Sequence, residues 1–410
     1  MSLTRFLPTP SDRMGILWSL LGIEGLVVLE YGPAGTTHFS MGLFGELGED
    51  QQNRIFTTHM SEDDVVMGDV TRLEKAIVEI DRNFAPKVIV VVSSSVAAVI
   101  GSDIKGVCSY MQEKVNAHLL SFEQGGFRGD YSVGLLETNK LLVQELVEDD
   151  AEPQEDMVNI LGFSMGAYRA LSDRREISYM LARAFGLKVN ACLCGETSID
   201  EIEKMGCATV NLVLREEAVP AAQILKKKFG TPVVAGMPYG YKGTLEWLEK
   251  ISEAIGKPIN KDFFNEINER IRDTAHYPMY AMMLKKDKPS ATLVGEYRTI
   301  VGISKFLEEV GIPSDNKLCI HTMKNIPNAD ETVIHCESEK ARLDILKSQH
   351  RSFILADDPS MSVCADDNVF MRISMPVVRG RQFARHMPLM GIHGADFIME
   401  TVEEYWQLIH

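Results

Sequence analysis

The chain has 410 residues, 45% of them hydrophobic, and a formal net charge of −16. Its length is sufficient for two or three domains with their own cores. The acidic balance argues against nucleic acid and anionic membranes as partners, because both repel a negative surface.

Two further features of the sequence indicate a cytoplasmic protein. The seven cysteines are an odd number without a short-range framework, which is typical of reduced thiols in the cytoplasm. The apolar stretch 14–29 is interrupted by glycines and Glu24, so we expect neither a signal peptide nor a membrane span there.

Short apolar runs alternate with helical stretches along the chain, which predicts an α/β fold with parallel sheets covered on both faces. The first unit, residues 1–150, has predicted strands at 26–31, 88–92 and 117–122 and predicted helices at 67–83 and 131–147. An acidic stretch with a proline, residues 145–156, then interrupts the pattern and is a predicted linker.

Two more units and a closing segment follow. The second unit, 157–283, has predicted strands at 157–162, 188–193, 209–214 and 232–235. The third, 290–375, has them at 291–295, 317–321, 332–336 and 353–356, and residues 376–410 form the closing segment. Ligands of open α/β sheets bind beyond the carboxyl ends of the strands, so we expect function in the loops after these runs.

Several segments resemble the nitrogenase component 1 family, and they occur in the family's order. The segments are EYGPAGTTHFSMG (30–42), the passage 61–108, GGFRG (125–129), VNILGFS (158–164), and the stretches 188–218, 290–312 and 372–402. The order and spacing carry the resemblance more than any single match. The resemblance implies three Rossmann-like domains, with mainly parallel sheets, around a central cleft.

Hydroxyl residues stand where this family has the cysteines that hold its bridging iron–sulfur cluster. The degenerate cluster positions are Ser11, Thr36, Thr37, Ser94 and Ser95. Iron–sulfur clusters require thiolates, and a hydroxyl loses its proton to iron far less readily than a thiol does. We therefore predict that this chain binds no bridging cluster by itself, and we assign no metal site to these positions; a partner subunit would have to provide any cluster.

The resemblance implies an oxidoreductase subunit that takes part in low-potential reduction of a ligand held in the inter-domain cleft. Its implied partners are a homologous component 1 subunit, in a homo- or heteromeric dimer or tetramer, and an ATP-dependent iron–sulfur reductase for electron transfer. The alternative is a non-catalytic scaffold or maturation protein. In either case the cleft would hold a metallocofactor or a tetrapyrrole.

The predicted ligand-binding cleft combines side chains from strand ends of different units. These residues are Thr36, Ser94, Ser164, Cys194, Arg215 and His386. Arg215 aligns with or next to the family's cofactor-binding cysteine, and its fixed charge would suit an anion; an ordinary salt bridge is the alternative. The arginines and histidines of the closing segment would form an anion-binding wall or a subunit interface: Arg379, Arg381, Arg385, His386 and His393.

Two motifs leave further alternatives open. The stretch 162–166, GFSMG, matches the nucleophile elbow of serine hydrolases, with Ser164 as nucleophile and Asp366, His386 and His393 downstream. We favour a glycine-flanked turn there. Cys192 and Cys194 are expected on one face of a strand, where they would bind a metal jointly or remain buried thiols.

Overall fold

The computed structural model of the protein describes residues 9–37, 54–284, 288–321, 323, 326, 329–336, 338–377 and 387–409. Helices alternate with strands in three separate parallel sheets, so the predicted α/β class with three Rossmann-like domains is confirmed. In the described part of the chain, no helix has both the length and the apolar character needed to cross a membrane.

The first sheet has four strands. Together with the helix and short strand that precede it, its elements are α1 (Asp12–Leu20), β1 (Ile23–Glu24), β2 (Leu26–Tyr31), β3 (Ile55–Thr57), α2 (Glu62–Met67), α3 (Thr71–Phe84), β4 (Val88–Ser93), α4 (Ser95–Val99), α5 (Ile104–Met111), β5 (His118–Phe122) and α6 (Tyr131–Leu146). The order is β3-β2-β4-β5, with every pair parallel. The central strands β2 and β4 are buried along their whole length, which explains why their sequences are apolar except at Glu30 and Ser93. The predicted helix 67–83 starts too early, because Gly68 ends α2 in the left-handed conformation and α3 begins at Thr71.

The second sheet also has four strands, in the order β10-β9-β6-β7. Its elements are β6 (Met157–Leu161), α7 (Ala170–Phe185), β7 (Lys188–Cys192), β8 (Thr197–Ser198), α8 (Ile199–Glu203), β9 (Val210–Val213), α9 (Val219–Phe229), β10 (Val233–Ala235), α10 (Tyr241–Ile255), α11 (Lys261–Thr274) and α12 (Tyr277–Met283). The short strand β8 pairs with β1, with Ile23 opposite Thr197, and thereby joins the first two units.

The third sheet has five strands, in the order β13-β12-β11-β14-β15. Its elements, with the closing helix, are β11 (Ala291–Gly295), α13 (Tyr297–Glu309), β12 (Ser314–Cys319), β13 (Val333–His335), α14 (Glu339–Lys347), β14 (Phe353–Ala356), α15 (Asp358–Met361), β15 (Val369–Arg372) and α16 (Gly391–Ile409). The closing helix α16 packs against α7, α10 and β15, so it links the second and third units.

Two apolar cores cross the boundaries between the units. One joins the first two units and contains Leu17, Leu26 and Leu225. The other joins the second and third units and contains Phe185 and Phe306. Because burial of apolar surface is shared in this way, the strand ends of the different sheets are held against one another.

The helices α1 and α6 approach each other unusually closely because each has a glycine at the contact. A Cβ atom added to Gly15 would overlap the carbonyl oxygen of Tyr131, and one added to Gly134 would overlap that of Asp12. Backbone hydrogen bonds reinforce the contact: Tyr131 N–H donates to Pro10 O at 2.9 Å, and Asp12 N–H donates to Gly129 O at 3.0 Å. This contact fixes α1 beside the start of α6.

Candidate ligand-binding site between the domains

A cavity of about 370 Å³ lies where loops from the second and third sheets meet α1 and α6. The loops follow the carboxyl ends of β6, β9, β10, β11, β12, β14 and β15, and they contribute Tyr168, Arg215, Tyr239, Glu296 and Asp357, among others. This is the position at which open α/β sheets bind ligands, and the volume is in the usual range for small-molecule sites.

A buried ion pair spans the cavity wall from the second unit to the third. Arg215 donates from Nη2 to Glu296 Oε2 at 2.5 Å and from Nη1 to Oε1 at 3.1 Å, a bidentate geometry. Burial opposes the charge of Arg215, but the carboxylates of Glu296 and Glu217 outweigh it and raise the arginine pKa. The guanidinium is therefore charged and held in one orientation.

Two buried carboxyl groups near this ion pair titrate near neutral pH. Burial raises the pKa of Asp173 to about 7, although its Oδ1 accepts hydrogen bonds from the amides of Leu389 and Met390 at 2.6 and 3.0 Å. Burial likewise raises the pKa of Glu217 to about 7, against the attraction of Arg215. Asp173 lines the cavity, so a proton can be held or released beside a bound ligand.

Another part of the cavity lining comes from α1 and the first turn of α6. Arg13, Met14 and Trp18 line it from α1, and Tyr131 lines it from α6. The rings of Trp18 and Tyr131 meet edge to face, with centroids 5.6 Å apart. Arg13 forms an ion pair with the fully buried Glu30.

Two of the residues that the sequence predicted for the site line the cavity: Arg215 and Ser11. Ser164 lies in the turn just before the lining residues Gly166 and Ala167. Thr36, Ser94 and Cys194 are not among the lining residues. His386, Arg379, Arg381 and Arg385 lie outside the described residues, so their predicted roles stay predictions.

The degenerate cluster positions come together in two neighbouring places. A Cβ atom on Gly126 would lie 3.3 Å from Ser11 Oγ and 3.8 Å from Ser95 Oγ, and one on Gly32 would lie 3.4 Å from Thr36 Oγ1. The hydroxyls have structural partners: Ser94 Oγ accepts from Ala97 N–H at 3.2 Å and caps α4, Ser95 Oγ donates to Gly125 O at 2.8 Å, and Thr36 Oγ1 donates to Glu30 Oε1 at 2.6 Å. Ser11 makes no side-chain cap hydrogen bond at the start of α1, and Thr37 Oγ1 is buried and has no partner among the described residues.

The expectation that Cys192 and Cys194 share one strand face is wrong. The strand β7 ends at Cys192, and Cys194 adopts a left-handed backbone conformation with φ of 66°, so the alternation of the pleat does not extend to it. Cys192 packs into the core shared by the second and third units, and Cys194 into the core shared by the first and second. Burial raises the pKa of both thiols, and neither is accessible.

The surroundings of Ser164 are those of a turn. Its Oγ accepts from Gly166 N–H at 3.2 Å, and α7 does not begin until Ala170, whereas a nucleophile elbow leads directly from strand to helix. Of the two histidines proposed as its base, His393 instead bonds Glu176 Oε2 through Nδ1 at 2.7 Å, and Asp366 is exposed. These contacts favour the glycine-flanked turn.

Sequence reasoning missed several residues of the cavity. Glu296 and Tyr239 follow strands directly or after a short loop, so the strand-end rule that selected Arg215 would also have selected them. Arg13 and Tyr131 gave no such signal, because they reach the cavity only through the contact between α1 and α6. Asp173 was missed as a helix residue, since it lies in the first turn of α7.

Comparison with known proteins identifies the family. The sequence model of nitrogenase component 1 type oxidoreductases matches residues 11–407. The chain belongs to the nitrogenase component 1 family. This confirms the resemblance seen in its motifs, and the match extends from the first degenerate cluster position to the closing helix.

The relatives of this component 1 chain have several functions. It is 30% identical to the nitrogenase iron-molybdenum cofactor biosynthesis protein NifE of Clostridium pasteurianum, over 68% of this chain and 61% of that protein. It is 28% identical to one subunit of the light-independent protochlorophyllide reductase of Prosthecochloris aestuarii, over 45% of this chain and 34% of that protein. The alignments thus span less than two thirds of each relative.

A solved structure of nitrogenase Cp1 at pH 6.5 has the same fold. It superposes with a TM-score of 0.83 over 99% of this chain and 93% of the other, at 18% sequence identity. A likeness at this level of identity concerns the fold alone.

The iron–sulfur cluster that the resemblance implies does not fit the residues of this chain. The degenerate positions offer hydroxyls, most of them used in hydrogen bonds within their own loops. Within the described ranges, no group of three His, Cys, Asp or Glu side chains is arranged to hold a metal ion. Thiolate ligation of a cluster therefore has no basis in these loops.

Proposed function

We propose that this component 1 chain is a ligand-holding subunit with a scaffold or maturation role, and that its ligand binds in the inter-domain cavity. The observation that carries the proposal is the combination of a well-formed cavity at the strand ends with hydroxyls at every cluster position that the structure describes. The cavity supports binding of a ligand, whereas the hydroxyls do not support electron transfer through a cluster held by this chain. The 30% identity to a cofactor biosynthesis protein agrees with this role.

The side chains of the cavity suit binding and orientation of a ligand. The ion pair between Arg215 and Glu296 ties together the two sheets that form the cavity, so the walls are preorganised. Asp173 can hold a proton near neutral pH and adjust the local charge to the ligand. The remaining lining is largely apolar, and a bound molecule that displaced water from it would make stronger polar contacts.

Anaerobic purification with iron and sulfide analysis tests the proposal. We expect the isolated chain to contain no stoichiometric iron or sulfide, because its loops lack thiolates. Stoichiometric iron and sulfide in the isolated chain, lost when Ser11 and Ser95 are replaced by alanine, would refute it. Organic ligands released from the protein by denaturation are identified by mass spectrometry in the same preparation.

A cavity-filling variant supplies the matched control. Ala167 lines the cavity, and the indole of Ala167→Trp would occupy the ligand's space. We expect this variant to lose any co-purified ligand while the folded protein remains. Gly243→Ala, at a helix site with open space around it, should retain the ligand.

A redox subunit with a cysteine-bearing partner is the second candidate, because the degenerate cluster positions still converge near exposed residues. Ser95 is exposed, and Phe127, next to Gly126, is 65% exposed. A homologous component 1 subunit that covered this surface would bring its own ligands, and an ATP-dependent iron–sulfur reductase would supply electrons. Iron and sulfide found only in the complex with a co-purifying subunit would favour this candidate.

A further inference from the structure

The cavity wall formed by α1 and α6 has hydrogen-bond donors that no described residue accepts. The hydroxyl of Tyr131 is buried without a partner, and so is the Nε–H of Arg13. Both side chains line the cavity, with Tyr131 2% exposed and Arg13 8%. A buried polar group without a partner is costly and rare, so the two donors indicate where an acceptor belongs.

The guanidinium of Arg13 is fixed from behind. Its Nη2 is paired with Oε2 of the fully buried Glu30, whose Oε1 accepts from Thr36 Oγ1 at 2.6 Å. Thr36 Oγ1 also lies 2.8 Å from Pro33 O, so these two acceptors share its one proton, and Glu30 orients Arg13. This leaves Nε of Arg13, a residue of the cavity lining, buried and without a partner among the described residues.

The hydroxyl of Tyr131 is also held in place. Its ring packs edge to face on Trp18, and its backbone lies at the glycine contact between α1 and α6. Burial raises its pKa, so the hydroxyl keeps its proton and acts as a donor at neutral pH.

The surrounding surface is apolar. It includes Met14, Trp18, Ile320, Ile373, Leu389 and Met390. A molecule seated here would bury a hydrophobic body against these side chains and turn an oxygen toward the two donors.

We infer that the cavity binds an apolar organic molecule whose carbonyl or carboxylate oxygen accepts hydrogen bonds from Tyr131 Oη and Arg13 Nε. The inference rests on the proposed function, since it specifies the ligand of the same cavity. The competing occupant is a water molecule between Tyr131 and Nδ1 of His321, which is also without a partner among the described residues; the two ring centroids are 6.1 Å apart.

Three fluorescent probes with one apolar body test the inference: pyrenebutyrate, pyrenebutyramide and butylpyrene. Binding to the full chain is followed by fluorescence anisotropy. We expect the carboxylate, or both the carboxylate and the amide, to bind about tenfold more tightly than butylpyrene, the gain typical of a hydrogen bond to an otherwise unpaired buried donor. The comparison of carboxylate with amide shows whether the negative charge is required.

Tyr131→Phe removes only the hydroxyl, and Arg13→Lys keeps a charge for Glu30 while removing Nε–H. We expect each variant to lose most of the preference, with unchanged butylpyrene affinity and an unchanged melting temperature for Tyr131→Phe. Tyr31→Phe is the matched control. The hydroxyl of Tyr31 donates to Asp69 O at 3.2 Å, and Tyr31 does not line the cavity. It should keep the preference.

The outcomes separate this inference from the proposed function. Equal binding of all three probes, or an unchanged preference in Tyr131→Phe, would overturn the acceptor subsite and favour the bridging water, while the cavity remained a ligand site. If no probe bound the wild-type chain, the cavity would fail as an apolar ligand site, and the proposed function would fail with it.

Discussion

Replacing Arg215 by methionine should destabilise the junction between the second and third units. The substitution keeps an apolar stem of similar length but leaves Glu296 without its bidentate partner. Removing one member of a buried ion pair costs about 3–5 kcal/mol, because the remaining charge stays desolvated. The Glu296 side chain is 19% exposed and gains some hydration, so we expect a loss of about 3 kcal/mol, at the lower end of that range.

Urea unfolding followed by tryptophan fluorescence measures this loss, and the first transition is compared because a chain of several domains need not unfold in one step. The control is Lys257→Met, which breaks the exposed pair with Asp156 and should cost less than about 1 kcal/mol. The double variant Arg215→Met/Glu296→Met should recover most of the lost free energy of unfolding, since an apolar pair can replace a buried ion pair. A loss in Arg215→Met no larger than that in Lys257→Met would refute the reasoning.

Three other variants test separate features. The folded pKa of Asp173, about 7, lies above the ordinary 3.8, so its protonated form contributes stability at low pH that is lost as the pH rises through the folded value. The free energy of unfolding of Asp173→Asn should therefore fall less between pH 5 and 7 than that of the wild type. Equal pH slopes in urea titrations of the two proteins would contradict this. Gly134→Ala should lose about 1–3 kcal/mol through overlap with α1, whereas Gly243→Ala, with open space, should not; equal thermal shifts would contradict the close contact. Ser164→Ala should leave fluorophosphonate labelling and ester hydrolysis at background, as in the wild type; labelling of the wild type alone would revive the hydrolase.

The sequence was most informative where a strand is buried on both faces. Residues 291–295 and 353–356 were predicted with the bounds that the structure has for β11 and β14, because both are short buried runs in which Thr292 is the one polar residue. The edge strand β15 was missed, since its burial alternates and its sequence has no such run. The pairing of β1 with β8 was missed because two-residue strands far apart in sequence leave no periodic signal.

The site was predictable only in part. The rule that ligands bind at strand carboxyl ends led to Arg215. The structure pairs this arginine with Glu296, which agrees with the salt bridge that we gave as the alternative to anion binding. The rule did not lead to Arg13 or Tyr131, whose positions depend on two glycines that allow helices far apart in the sequence to touch. Such a contact has no local signature in the sequence.

The hydroxyl at Thr36 changes what its loop does for the cavity. A thiolate bound to a cluster has no proton to donate, whereas the threonine hydroxyl donates to Glu30, and Glu30 holds Arg13 at the cavity wall. A buried carboxylate between an arginine and a hydroxyl is stable because both of its oxygens are satisfied. The position that the resemblance assigns to a metal ligand thus contacts, in this chain, the carboxylate that pairs with Arg13. Under the proposed function, the loss of thiolates and the polar cavity wall belong to one arrangement, in which the loop would serve ligand binding and not electron relay.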